Sequence, residues 1–94
     1  MNRLLIVDDE IAVLNALRRL LTRVPCTVGG KNYPLVIDTQ DDPFAALEQA
    51  RHTAYDLVLS DYRMPGMSGV EFLAQARALR PDAVRMVLSG YADI

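Results

Sequence analysis

The sequence predicts an α/β domain built on a doubly wound parallel sheet. Four short, mainly apolar runs, at 4–7, 35–38, 57–60 and 84–88, are separated by segments with helical periodicity. The runs at 4–7 and 57–60 show little alternation, as expected of strands covered on both faces. Strand and helix alternate along the whole chain, and parallel neighbours need such crossovers, which are right-handed. The 94 residues fit one small domain and leave no room for two.

The first run, in LLIVDDE, ends on Asp8, Asp9 and Glu10. Ile11, Leu14, Leu17 and Leu21 then recur at helical spacing, with Asn15, Arg18 and Arg19 on other faces, and the helix should end before Pro25. The segment PCTVGGKNYP, with two prolines and a Gly-Gly pair, reads as an irregular loop or a loose hairpin. A second strand at 35–38 leads to Asp42-Pro43, an N-cap followed by proline at the first helical position, which opens a helix running to Arg51. The third strand, at 57–60, delivers Asp61. Ser68 and Glu71 have capping-box spacing ahead of Val70, Phe72, Leu73 and Ala76, and Pro81 closes that helix. The fourth strand, at 84–88, runs into Ser89-Gly90-Tyr91.

Composition excludes several classes. At 51% hydrophobic and 23% charged residues the chain reads as globular rather than disordered. A net charge of −2 argues against direct nucleic-acid binding by this segment, and Arg18, Arg19 and Arg23 read as a solvated face. Cys26 is the one cysteine, so no internal disulfide forms, and it reads as a loop cysteine. His52, the one histidine, reads as a surface residue at the end of a different helix. The opening MNRLLIV is too short for a signal-peptide core, and no apolar run approaches membrane-spanning length. The expectation is a cytoplasmic domain with no membrane contact.

In doubly wound folds the site lies beyond the carboxyl ends of the strands, where the strand order reverses. Asp8 and Asp9 follow the first strand, Asp61 the third and Ser89 the fourth, so all four should meet on one rim. Singly, each acid is explained as a helix cap or loop acid, and Asp9 is placed to cap the first helix. Three strand ends converging on acids or a hydroxyl is a stronger pattern. Crowded carboxylates repel one another and are relieved by a proton or a cation. An oxygen-only set suits magnesium, whereas zinc and iron–sulfur centres want softer ligands. Magnesium beside an aspartate points to phosphoryl chemistry.

LLIVDDE, VLSDYRMPGMSG and MVLSGYAD together resemble the receiver domain of two-component response regulators, over essentially the whole of 1–94 apart from a longer loop at 25–34. The resemblance implies a flavodoxin-like fold with strand order 2-1-3-4 for the strands present. It implies a signalling switch in which Asp61 accepts a phosphoryl group from a sensor histidine kinase or phosphotransfer protein. Asp9 would bind Mg2+ directly, Asp8 through water in the same pocket, and the backbone carbonyl of Arg63 would be a further ligand. Ser89 would be the switch hydroxyl. Arg63 and Tyr91, two residues past Asp61 and Ser89, would tune the lifetime of the phosphorylated state. Gly69 matches the glycine ahead of the third helix, and Ser68 replaces an aspartate that most members have. Such a domain catalyses its own phosphoryl transfer without being a conventional turnover enzyme.

The family continues through a fifth strand, which ends in a lysine, and further helices. The chain ends at Ile94, and its single lysine, Lys31, lies in the odd loop. The expectation is a C-terminally incomplete receiver domain whose fourth strand and first helix are exposed and promote self-association. Two other readings remain open. One is a phosphate-insensitive interaction module on the same fold, and the other is a magnesium-dependent phosphohydrolase, for which no substrate pocket or cap segment is evident.

Overall fold

A central strand, β1 (Asn2–Val7), organises the domain. The computed structural model describes residues 2–24 and 27–88. After β1 come α1 (Ile11–Thr22), a hairpin of β2 (Thr27–Val28) and β3 (Lys31–Asn32), then β4 (Leu35–Gln40), α2 (Pro43–His52), β5 (Leu57–Asp61), α3 (Gly69–Leu79) and β6 (Val84–Leu88). The four long strands form an all-parallel sheet in the order β4-β1-β5-β6. With the hairpin strands set aside, this is the expected 2-1-3-4 order. The second strand runs two residues beyond its expected end at Asp38, to Gln40, because it pairs with β1 along its whole length.

Alternation along β1 explains why the sheet is covered twice. Leu5 and Val7 join Val58, Ala46, Leu47, Phe72, Leu73 and Ala76 in one cluster beneath α2 and α3. Leu4 and Ile6 face the other way, with Leu14 and Leu59, against Leu17 and Leu21 of α1. Successive strand side chains point to opposite faces, so the stretch of β1 from Leu4 to Val7, covered on both sides, is apolar at every position. β6 borders the sheet, and its Val84 and Met86 are exposed on the α1 side.

Local chemistry sets the element ends. The Asp42 carboxylate accepts the Phe44 N–H at 3.1 Å, with Pro43 in the first turn of α2. The Ser68 hydroxyl accepts the Glu71 N–H at 3.1 Å and donates to the Glu71 carboxylate at 3.2 Å. The stretch read as an irregular loop or loose hairpin is a hairpin: Gly29 and Gly30 sit at φ +59° and +80°, the left-handed values that a two-residue turn of this kind requires. Asp9 does not cap α1. Glu10 holds the N-cap position and its side chain makes no capping bond.

Two apolar positions on helical spacing fall outside the core. Ile11 is 59% exposed and Val70 is 58% exposed; on α3 the buried side is carried by Gly69, Phe72, Leu73 and Ala76. Arg18 is more than a solvated charge: its guanidinium donates to the Thr39 hydroxyl at 3.1 Å and the Ile37 carbonyl at 3.4 Å, covering the outer edge of β4. His52 is on the surface, beside Glu48 at 3.2 Å. Cys26 lies outside the described residues. Within β4, Asp38 accepts from Tyr55 Oη at 2.7 Å and from Arg3. Burial, reinforced by the Asp38 carboxylate, pushes the Tyr55 hydroxyl up to about 12.

Phe72 is fully buried and Val70, two residues earlier on the same helix, is not. Phe72→Ala is expected to destabilise the domain by about 3–5 kcal/mol, and Val70→Ala to stay within about 0.5 kcal/mol. Urea denaturation of the two variants checks both values.

Candidate functional site

The register of the sheet brings the acids together. Val7 lies opposite Ser60, so the next residues on the two strands, Asp8 and Asp61, emerge side by side at the carboxyl end of the sheet. Carboxylate oxygens of Asp8, Asp9 and Asp61 all lie within 4.8 Å of one another, the one such acidic group among the described residues. The three differ in setting. Asp8 is buried at 4% exposure, Asp61 is half-buried and Asp9 is exposed.

Asp8 is held in place by its own turn: the Glu10 N–H donates to Asp8 Oδ1 at 2.9 Å, and the Asp8 N–H donates to the Gln40 carbonyl at 3.2 Å. Burial raises the Asp8 carboxyl above its ordinary value of 3.8; the Glu10 N–H opposes this, and the charges of Asp61, Asp9 and Glu10 add to it. The site thus favours a positive charge at its centre, either a proton or a cation. Its donors are all carboxylate oxygens, with no histidine or cysteine in the group, which fits a hard divalent ion such as magnesium.

Asp61 stands where β5 becomes a loop. The Tyr62 N–H donates to Asp61 Oδ1 at 2.9 Å and reaches the Leu88 carbonyl of β6 at 3.1 Å. Buried Ser60 donates from its hydroxyl to the Asp61 carbonyl at 2.9 Å. The Gly69 N–H donates to the Tyr62 carbonyl at 2.8 Å and closes the loop. Within the loop, exposed Arg63 precedes Met64, which is buried in the core together with Met67.

Gly69 is the feature whose importance residue chemistry did not reveal. A Cβ on it would overlap the Asp61 carbonyl oxygen and crowd the Asp61 carbonyl carbon and the Tyr62 Cα. The first turn of α3 therefore rests directly on the backbone of Asp61. The available signal was a glycine opening a helix right after a good N-cap, a place where most residues form helix better. Ser89 and Tyr91, expected at the fourth strand's end, lie outside the described residues.

A flavodoxin-like sheet with three carboxylates gathered at its strand ends is the arrangement of a receiver domain. The response regulator receiver domain family matches residues 4–94, and the chain belongs to that family, whose members act in two-component systems. Among curated proteins it is 38% identical over 89 residues to the hydrogenase transcriptional regulatory protein HoxA of Cupriavidus necator, covering 95% of this chain and 16% of that protein. It is 32% identical over 91 residues to the transcriptional regulatory protein ZraR of Escherichia coli K12, covering 97% of this chain and 19% of that one. The chain thus spans less than a quarter of these relatives. Among solved structures, the response regulator TrrA of Thermotoga maritima, in complex with Mg2+–BeF, superposes with a TM-score of 0.80 at 33% identity, covering 99% of this chain and 73% of that one. A CheY-like receiver domain of Methanospirillum hungatei superposes at 0.81 with 28% identity, over 98% and 66% of the two chains. Among the described residues no helix is long and apolar enough to cross a membrane.

Gly69→Ala is expected to destabilise the domain by roughly 1–3 kcal/mol through overpacking and to shift the Asp61 and Tyr62 amide resonances, measured by urea denaturation and NMR. A second outcome concerns charge. The raised Asp8 carboxyl makes the folded, cation-free protein hold its proton more tightly than the unfolded chain does. The stability this contributes is complete below 3.8 and is lost as pH rises through the folded value. In EDTA, Asp8→Asn is therefore expected to raise the thermal midpoint at pH 7 relative to the parent, an advantage that shrinks as pH falls through that window.

Proposed function

We propose that the domain is a phosphorylation-controlled switch whose phosphoacceptor is Asp61. The observation that supports this reading best is the acidic group itself: a half-exposed aspartate on a rigid strand end, with two further carboxylates within 4.8 Å. The donor is a phosphohistidine on a sensor kinase or phosphotransfer protein. A carboxylate oxygen of Asp61 attacks phosphorus, the phosphorus–nitrogen bond breaks, and its electron pair returns to the imidazole. The product is an acyl phosphate on Asp61 and a free histidine. Exposed Ile11, which follows the acids at the start of α1, offers that partner an apolar contact at the rim.

Asp8, Asp9, Asp61 and the Arg63 carbonyl would hold Mg2+. When bound, the ion supplies positive charge against the phosphoryl oxygens as charge develops on them. The chain's own part is positioning. Ser60, the Tyr62 N–H and Gly69 fix the Asp61 backbone and one of its carboxylate oxygens, so the acceptor does not have to be ordered at the moment of reaction. Ser89 takes the role of the switch hydroxyl, and phosphorylation shifts an existing equilibrium between two states of the domain.

The test is intact mass after incubation with acetyl phosphate and Mg2+, beside an Asp61→Asn control. The parent is expected to gain one phosphoryl group, and both Asp61→Asn and the parent in EDTA to gain none. A parent that gains nothing would replace this reading with the phosphate-insensitive interaction module.

A further inference from the structure

We propose that Phe44 is a positioning residue for the metal site: from the start of α2 it braces the turn that follows Arg63, whose carbonyl is a proposed Mg2+ ligand. This rests on the reading of the acidic rim as a Mg2+ site.

The loop from 62 to 68 is tied down at its ends and at two points within. Its ends are joined by the Gly69 N–H to the Tyr62 carbonyl at 2.8 Å. Met64 and Met67 sink into the core beside Ala46 and Leu47 of α2. Between the two methionines, Pro65 and Gly66 run at the surface, with Gly66 in the left-handed region at φ +81°. Pro65 is exposed, Gly66 has no side chain to bury, and proline has no N–H to donate. What the structure places against Gly66 is the ring of Phe44. A Cβ built on Gly66 would stand 3.3 Å from Phe44 Cε2 and 3.9 Å from Cζ.

Phe44 is 56% exposed, so its place is not explained as core packing. Its backbone is nonetheless fixed at the start of α2. Its N–H donates to Asp42 Oδ1 at 3.1 Å, buried Pro43 precedes it, and the Ala46 N–H donates to the Asp42 carbonyl at 2.9 Å. The start of α2 thus presents an aromatic edge to the exposed turn at Pro65–Gly66. Glycine is favoured at 66 by its φ, and a Cβ there would also press on the Phe44 ring at 3.3 Å.

Magnesium demands near-ideal octahedral geometry at short distances, so a carbonyl on a loosened turn is a poor ligand for it. Residues that orient a metal's ligands typically change affinity by about 10- to 100-fold when removed. Phe44 acts through one backbone ligand of several and is half-solvated, which places its effect near the lower end.

The experiment compares the parent with Phe44→Ala, Phe44→Leu and Val70→Ala, the last removing an equally exposed side chain from α3. Amide hydrogen exchange in EDTA reads the turn without metal, and calorimetric titration with Mg2+ alone reads the site. Phe44→Ala is expected to speed exchange in 63–67 while α3 and β5 stay protected, and to weaken Mg2+ binding by roughly 10-fold. Phe44→Leu is expected to recover most of both, and Val70→Ala to match the parent. If Phe44→Ala keeps the parent's exchange in the turn, or binds Mg2+ as the parent does, the brace is refuted while the metal site stands. Faster exchange spread over α3 and β5 would make Phe44 a general stability residue and also overturn the proposal. A parent that takes up no Mg2+ would instead overturn the metal-site reading on which the proposal rests.

Discussion

From Leu4 to Val7, β1 has no solvent face. Leu5 and Val7 lie under α2 and α3, Leu4 and Ile6 lie under α1, and parallel strands on both sides take up its backbone hydrogen bonds. A strand so enclosed is strongly specified in register, since a slip of one residue would exchange its two faces and carry Asp8 into the core. Parallel pairing then makes neighbouring strands end together. Asp8 and Asp61 therefore meet because of how the apolar residues before them are buried.

The same enclosure creates the electrostatic tension at the rim. Burial raises the Asp8 carboxyl, and the charges of Asp61 and Asp9 add to the effect. A domain selected for stability alone would place fewer acids here, or would separate them. The surrounding backbone shows how the tension is contained. The Glu10 N–H holds Asp8, the Tyr62 N–H holds Asp61, and the first turn of α3 rests on the Asp61 peptide so tightly that a side chain at Gly69 would force the backbone to shift. A site that is strained in charge is thus rigid in geometry, as fits a group that must be ready before its substrate arrives.

Much of this was legible in the residues because the signals were local. Asp42-Pro43 and Ser68 with Glu71 announce helix starts, since capping needs only groups a few residues apart. Gly29-Gly30 allowed a hairpin for the same reason, although the prolines around it kept a plain loop in contention. Local signals also misled. Ile11 and Val70 are apolar residues at helix starts yet are solvated, because an apolar residue there is not thereby on the buried side, which on α3 is carried by Gly69, Phe72, Leu73 and Ala76. Asp9 looked like an N-cap by position, but Glu10 occupies that place. Arg18 looked like a free charge until β4 was placed alongside it.

The sequence by itself determined the α/β class, the element order and the three acids at strand ends, because strand burial, helix capping and turn geometry are encoded within short windows. Tertiary structure alone decided what those acids amount to. Their separation depends on the register between β1 and β5, distant segments joined only by the sheet. The contacts of Gly69 with Asp61, and of Phe44 with Gly66, depend on how closely two elements approach. Such distances follow from the packing of the whole domain, and no residue pattern within a single segment states them.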